Sequence, residues 1–288
     1  MLKVNKFNIK SKKINNITIA FLSDIHYDEN FDINLEKQII EKVKLMVPNY
    51  IIITGDIIDK ACFLDEEFNK DKLVNFIKKL SFITKTFLIL GGHDLEDKKE
   101  QNYEKYKKIW HKIFDNKENI YLLDNDIYTD NNVNIIGITL DYGYYRKKPY
   151  ENVSLIINEL KKDKYKVSGT KYNILLLHSP RRILTKKAID NIPLLSNIDL
   201  VLCGHMHDGV LPKFLKWLPT SIGLISPHKT PFPRYARGMI HKKFNNDIFL
   251  IVSSCVTKIS NSTPKFIQKL KWGYDNDIEC IKVSGKNE

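Results

Sequence analysis

Residues 17–26 read ITIAFLSDIH: an apolar run from Ile17 to Leu22, then Ser23, Asp24 and His26. A short run of this composition that stops on a polar residue reads as a buried strand, of the kind found in α/β sheets covered on both faces. The arrangement recurs in YIIITGD at 50–56, TFLILGGHD at 86–94, YNILLLH at 172–178 and DLVLCGHMH at 199–207. Each run ends on residues that ligate metals. Ligands of open α/β sheets gather outside the carboxyl ends of the strands, so one fold could bring all five run ends to a common rim.

Between the runs the period changes. Leu35, Ile39, Val43 and Met46 space as one face of a helix over 34–47, which Pro48 stops. Leu73, Val74, Phe76, Ile77 and Leu80 mark a second helix, and Tyr103, Tyr106, Trp110 and Phe114 stripe a third over 102–114. That aromatic stripe reads as core packing rather than a stacking platform. A weaker helical pattern covers 151–162. After Gly238, MIHKKF and DIFLIVSSCV flank Asn245 and Asn246 as a hairpin, and DIECIKV alternates as a closing strand. With no repeat, low-complexity tract or Gly/Ser linker, residues 1–288 read as a single domain.

The chain has 288 residues, 43% of them hydrophobic, enough for a substantial core, yet no apolar stretch of membrane-spanning length. Its basic start, MLKVNKFNIKSKK, lacks the apolar region of a secretory signal, so the expected location is cytoplasmic. Cys62, Cys203, Cys255 and Cys280 show no CxxC spacing and read as reduced thiols, mostly small core residues. The net charge of +12 comes from lysines dispersed among Asn and Ile, without an arginine-rich arm or zinc finger. Nucleic acid is therefore not the expected partner, and a surface that attracts phosphorylated substrates or acidic headgroups is.

Taken together and in order, DxH, GD, GGHD, H and GHxH resemble the calcineurin-like metallophosphoesterase superfamily. LLLHSP and the YARG and IVSSC segments look like its bacterial YkuE- and YaeI-like phosphodiesterases. The resemblance implies an α/β fold of two mixed β-sheets packed as a central sandwich flanked by helices. It also implies a dinuclear, metal-dependent phosphoesterase acting on a phosphodiester or pyrophosphate bond. In such enzymes two divalent cations roughly 3.5–4 Å apart neutralise the phosphate and activate a bridging water. Asp56 matches the shared ligand; Asp24, His26 and His207 match one metal, and His178 and His205 the other. Imidazole and carboxylate donors without thiolate suit Mn²⁺, Fe, Zn²⁺ or Ni²⁺. His93, held by Asp94, matches the acid that protonates the leaving group.

Two positions depart from the family pattern. Gly92 stands where the family normally has Asn, so the second metal is expected to be held more loosely and the substrate phosphate to have one partner fewer. Asp208 follows GHxH where the related branch usually has Gly, and is expected to face solvent. The segment 209–227 is apolar for a loop, with Lys213 and Lys216 interleaved. It reads as packing on the body of the protein, as the wall of an acyl-chain site, or as a peripheral contact with the anionic inner face of a membrane. Arg181, Arg182, Arg234 and Arg237 are candidate phosphate grips. The alternatives to a small-molecule or lipid phosphoesterase are a catalytically weakened metal- and phosphate-binding module and a nuclease of the same superfamily. No obligate protein partner is evident.

Overall fold

The structure is a computed structural model that describes residues 2–96, 103–140, 158–160, 162–165, 167–180, 193–219, 222–227, 231–243, 246–260, 265–269 and 273–285. The described strands are β1 (Leu2–Ser11), β2 (Ile17–Leu22), β3 (Tyr50–Thr54), β4 (Thr86–Ile89), β5 (Ile120–Leu122) and β6 (Asp126–Thr129). They continue with β7 (Val133–Ile138), β8 (Tyr172–Leu177), β9 (Leu200–Cys203), β10 (Gly238–Lys243), β11 (Asp247–Val252) and β12 (Asn276–Gly285). Helices α1 (Ile33–Met46), α2 (Glu67–Ser81), the short α3 (Gly92–Leu95) and α4 (Tyr103–Phe114) are set among the first five strands. One sheet has the order β1-β12-β2-β3-β4-β5 and the other β10-β11-β9-β8-β7-β6. Both are mixed. β2, β3 and β4 run parallel while β12 joins β2 antiparallel; β7, β8, β9 and β11 run parallel while β10 and β6 close the edges antiparallel.

The period of two within each apolar run explains the layering. Ile19, Phe21, Ile52, Phe87 and Ile89 of the first sheet meet Ile174, Leu176, Leu200, Leu202 and Ile251 of the second in one buried core. Their alternates Ala20, Leu22, Ile51, Ile53 and Leu88 face away, onto α1, α2 and α4. Leu175, Leu177, Val201 and Cys203 do the same on the far side of the second sheet, against Leu160, Tyr165, Leu195 and Ile198. Strands buried on both faces need no polar alternation, which is why the runs read as continuous. Each such side chain contributes roughly 1.5–3 kcal/mol by leaving water.

The helix expectations hold with small shifts. Asp32 caps α1 by accepting from Asn34 N, and the helix ends at Met46 because Val47 turns left-handed before Pro48. Tyr106, Trp110 and Phe114 are buried, as expected of a core stripe. Most of the weak helix over 151–162 lies outside the described residues; 158–160 are helical. The final strand does not sit at an edge but is inserted between β1 and β2. All four cysteines are free, Cys62 exposed and the others buried. No described helix is long and apolar enough to cross a membrane.

Glu279 lies fully buried on β12, accepting from Ser253 Oγ at 2.9 Å and Ser254 N at 2.8 Å. Burial pushes its carboxyl up to about 8, against 4.5 for a glutamate in water. The folded state thus holds a proton that the unfolded chain releases near pH 4.5, so this residue's contribution to stability falls as pH rises from there to about 8. Glu279→Gln removes that dependence. Between pH 6 and 9 the wild-type Tm is expected to fall by ~5 °C more than that of the variant. Parallel melting curves would contradict the assignment.

Candidate metal centre

The run ends meet on one rim, and the backbone there is unusual. Asp24 and His26 follow β2 with φ of 52° and 50°, Asp56 follows β3 at 48°, and His205 and His207 follow β9 at 69° and 47°. Residues with side chains rarely adopt this left-handed geometry, at a cost of order 1–3 kcal/mol each. Side-chain placement here overrides backbone preference. Gly91 and Gly204 allow the close approach: a Cβ on Gly91 would strike the Asp56 carboxylate, and one on Gly204 would strike Ser23 and Asp24.

Two donor sets result. Ligand atoms of Asp24, His26, Asp56 and His207 lie within 4.8 Å of one another, and so do those of Asp56, His178 and His205. Asp56 belongs to both. Its Oδ2 lies 3.1 Å from His178 Nε2 and 4.0 Å from His26 Nε2, while its Oδ1 accepts from His93 N at 2.8 Å. Asp24 is held by several donors. Oδ2 accepts from Ser23 Oγ at 2.6 Å and from Cys255 Sγ at 3.2 Å, His205 N donates to both oxygens at 2.9 and 3.1 Å, and Oδ1 lies 3.4 Å from His207 Nε2.

The imidazoles are oriented from behind. Nδ1 of His178 donates to Thr54 O at 2.7 Å, that of His207 to Thr257 O at 3.0 Å, and that of His26 to Asp59 Oδ1 at 3.2 Å. An acceptor on Nδ1 fixes the tautomer and turns the Nε2 lone pair toward the centre. His26 Nε2 is buried without a hydrogen-bond partner among the described residues, an arrangement that a cation would complete. His205 differs: its Nδ1 sits 3.2 Å from His178 Nε2, where two basic nitrogens need a shared proton or cation between them. Burial pushes His205 down to about 3 and His207 down to about 4, which keeps both in the neutral form that ligates. Burial also opposes protonation of His178, but Asp56 outweighs it and lifts His178 to about 9. A metal must displace that proton. Nitrogen and oxygen donors, an orphaned imidazole and a shared carboxylate fit a pair of divalent cations.

His93 and Asp94 are brought to the same rim on α3, but not to each other. The Asp94 carboxylate accepts from Ile57 N at 2.8 Å, Ile58 N at 3.0 Å and Gly91 N at 2.8 Å, so it clamps the loop after β3 to the turn after β4. Asp94 therefore does not hold the His93 ring as expected from sequence, because three backbone donors occupy its carboxylate. The main-chain carbonyl of Asp59 takes that role, 2.7 Å from His93 Nδ1. Asp59, absent from the sequence expectations, also completes a third donor group with His26 and His93. Its signal in the sequence is the second aspartate of GDIID, three residues beyond Asp56.

The expectation that Asp208 faces solvent is overturned. It is fully buried, with Arg237 Nε at 3.3 Å, Lys216 Nζ at 3.7 Å and Lys258 Nζ at 3.9 Å. Three cations offset part of the cost of burying this carboxylate, although burial still raises its pKa, and no sequence pattern announces the cluster. Arg237 is thereby accounted for: it also donates to Leu218 O at 3.0 Å and is buried rather than free to grip phosphate. Arg234 is exposed, and Arg181 and Arg182 lie outside the described residues. A cavity of about 220 Å³, lined by His26, Asn30, Phe31, Thr257 and Tyr274 among others, shares His26 with the centre.

Two donor sets joined through one aspartate, at the strand ends of two packed mixed sheets, define a candidate dinuclear centre of the phosphoesterase class. The calcineurin-like phosphoesterase family profile matches residues 17–209, and the chain belongs to that family. It is 28% identical over 206 residues to an uncharacterized metallophosphoesterase of Campylobacter jejuni, covering 69% of this chain and 46% of that protein. The chain thus spans less than half of that relative's length. An uncharacterized metallophosphoesterase of Aquifex aeolicus is 26% identical over 216 residues, covering 73% of this chain and 71% of its own. Among solved structures, TT1561 of Thermus thermophilus superposes with a TM-score of 0.44 at 13% identity, covering 83% of this chain and 89% of that one. A dimetal phosphatase from Danio rerio gives a TM-score of 0.41 at 8% identity, with coverage of 82% and 86%.

Proposed function

We propose that the protein is a dinuclear metal-dependent phosphoesterase that hydrolyses a phosphodiester or pyrophosphate bond in a small or lipid-linked substrate. The observation that carries this reading is the position of Asp56, whose carboxylate belongs to both donor sets. Asp24, His26, Asp56 and His207 would hold one cation and Asp56, His178 and His205 the other. Bound there, the cations would neutralise phosphate charge and supply an activated water. The chain's own groups do the rest. Asp59 and the carbonyls of Thr54 and Thr257 fix the ring orientations, and His93 presents Nε2 to the leaving group while its Nδ1 is held by the Asp59 carbonyl. The cavity beside His26, with Phe31, Tyr274 and Asn30 in its lining, accepts the part of the substrate beyond the phosphate.

Metal analysis of protein reconstituted separately with Mn²⁺, Fe²⁺, Zn²⁺ and Ni²⁺, followed by a panel of monoesters, diesters and pyrophosphates, tests this reading. The expected outcome is about two equivalents of bound metal and preferential turnover of diesters or pyrophosphates. Bound metal without turnover of any of them would instead identify a binding module, and preferential degradation of DNA a nuclease. Gly92, buried at the start of α3, gives this centre a distinct prediction. Gly92→Asn restores a side-chain oxygen next to the second donor set and is expected to tighten the weaker metal by roughly 10-fold or more and raise turnover. Titration with Mn²⁺ reads the affinity; no change in either quantity would remove Gly92 from the account.

A further inference from the structure

From Gly209 to Asn246 the chain holds 38 residues without one Asp or Glu, and seven Lys or Arg: Lys213, Lys216, Lys229, Arg234, Arg237, Lys242 and Lys243. This excursion leaves directly from His207. Its described part is internally tied. Gly209 packs on Gly223, Ile222 bridges Arg234, Ile225 bridges Pro231, and Phe232 N donates to Leu224 O at 2.9 Å. Leu211 is wholly buried and anchors the start, while Lys216 and Arg237 turn inward to Asp208.

Among the described residues of this excursion, four large apolar side chains outside β10 remain in water. Phe214 is 75% exposed, Trp217 77%, Phe232 70% and Ile225 41%. Phe214 and Trp217 stand three residues apart on a tight turn whose bonds run from Lys216 N to Lys213 O and from Leu218 N to Leu215 O, a spacing that puts both on one side. Exposed Arg234 belongs to the same stretch, as does Lys213, exposed on one side and paired with Asp275 at 3.4 Å on the other. Asp208, Asp275 and Asp277 pair with the inner cations Lys213, Lys216 and Arg237, which leaves exposed Arg234 and an excess of positive charge beside the apolar tips. Bulky apolar tips with a net positive surround match the interface of an anionic bilayer: the rings enter the headgroup boundary while the cations meet lipid phosphates.

We propose that the excursion after His207 is a docking surface for anionic membrane, with Phe214, Trp217, Ile225 and Phe232 as its inserting side chains. The excess of positive charge favours lipid over a second copy of this chain, whose identical positive face would repel it. The proposal deepens the phosphoesterase reading by placing the centre beside a lipid surface, but its test does not depend on catalysis.

The experiment is sedimentation of the metal-loaded protein with vesicles of phosphatidylcholine alone and of phosphatidylcholine with phosphatidylglycerol. Binding is expected only to the anionic vesicles, weakening as NaCl is raised from about 0.05 to 0.5 M. The pair Phe214→Ala with Trp217→Ala, and separately Lys213→Glu with Arg234→Glu, should each weaken it by roughly tenfold or more. Circular dichroism and melting temperature should stay at the wild-type level in both, which shows that they fold, and hydrolysis of a soluble diester should be unchanged in the Phe214 and Trp217 pair. Brominated phosphatidylcholine mixed with phosphatidylglycerol should quench a part of the fluorescence that disappears in Trp217→Phe. No binding to anionic vesicles, or binding that both pairs leave intact, overturns the proposal. So does a wild-type dimer, seen by analytical ultracentrifugation, that the Phe214 and Trp217 substitutions dissociate. Loss of diester turnover in the wild type would count against the phosphoesterase reading and leave this surface judged on the vesicles.

Discussion

Asp56→Ala is expected to lower diester hydrolysis by about a thousandfold or more and to reduce bound metal from two equivalents to one or fewer. The size of the effect follows from three losses at one carboxylate. Oδ2 is the oxygen facing both His178 and His26, so its removal takes a ligand from each donor set. Oδ1 is the acceptor for His93 N, so the turn carrying the proton donor is released as well. His178 also loses the carboxylate that lies 3.1 Å from its ligating nitrogen. Asp56→Asn separates these contributions. It keeps the shape and an acceptor for His93 N but removes the negative charge, and it should lose metal nearly as badly while melting close to the wild type. Two tightly bound equivalents and unimpaired turnover in Asp56→Ala would refute the shared-ligand assignment.

His93→Gln is expected to show the second large effect, and its size depends on the leaving group. With an alkyl diester, whose departing alkoxide needs a proton, turnover should fall by ~10²–10⁴. With a p-nitrophenyl ester, whose leaving group departs as a stable anion, the loss should be far smaller. Bound metal should stay at two equivalents, because neither of the two sets joined through Asp56 includes His93. Equal losses on both substrates would assign His93 a structural duty instead. Asp94→Asn gives a useful contrast. Asp94 braces three backbone N–H groups rather than the His93 ring, so its replacement should lower stability and impair both substrates alike.

The run ends are legible because two simple rules coincide there. A strand buried on both faces writes itself as a continuous apolar run, and parallel strands deliver whatever follows them to one rim. Asp24, His26, Asp56, His178, His205 and His207 can therefore be gathered from sequence, and the structure brings them together. What cannot be read depends on contacts between distant segments. The pairing of Asp208 with Lys216, Arg237 and Lys258 spans 8, 29 and 50 residues and leaves no local pattern. The orientation of His93 by a main-chain carbonyl is invisible because any residue has one. β1 escapes a sequence reading for another reason: its alternating polar face makes a lysine-rich start resemble a solvated tail, although β12 pairs along its whole length.

The span of chain enclosed by the centre bears on how the protein is made. His205 N donates to Asp24 across 181 residues, Cys255 Sγ reaches the same carboxylate across 231, and Thr257 Oγ1 donates to Ile25 O across 232. Closures of this length form only once the intervening elements have condensed, which slows folding as sequence separation grows. A nascent chain that has emerged only as far as the residue after β8 carries Asp24, His26, Asp56 and His178 yet has neither donor set entire. Both donor sets are thus completed only by residues of the second sheet, so a metal that binds them would stabilise the finished molecule and not its amino-terminal fragments.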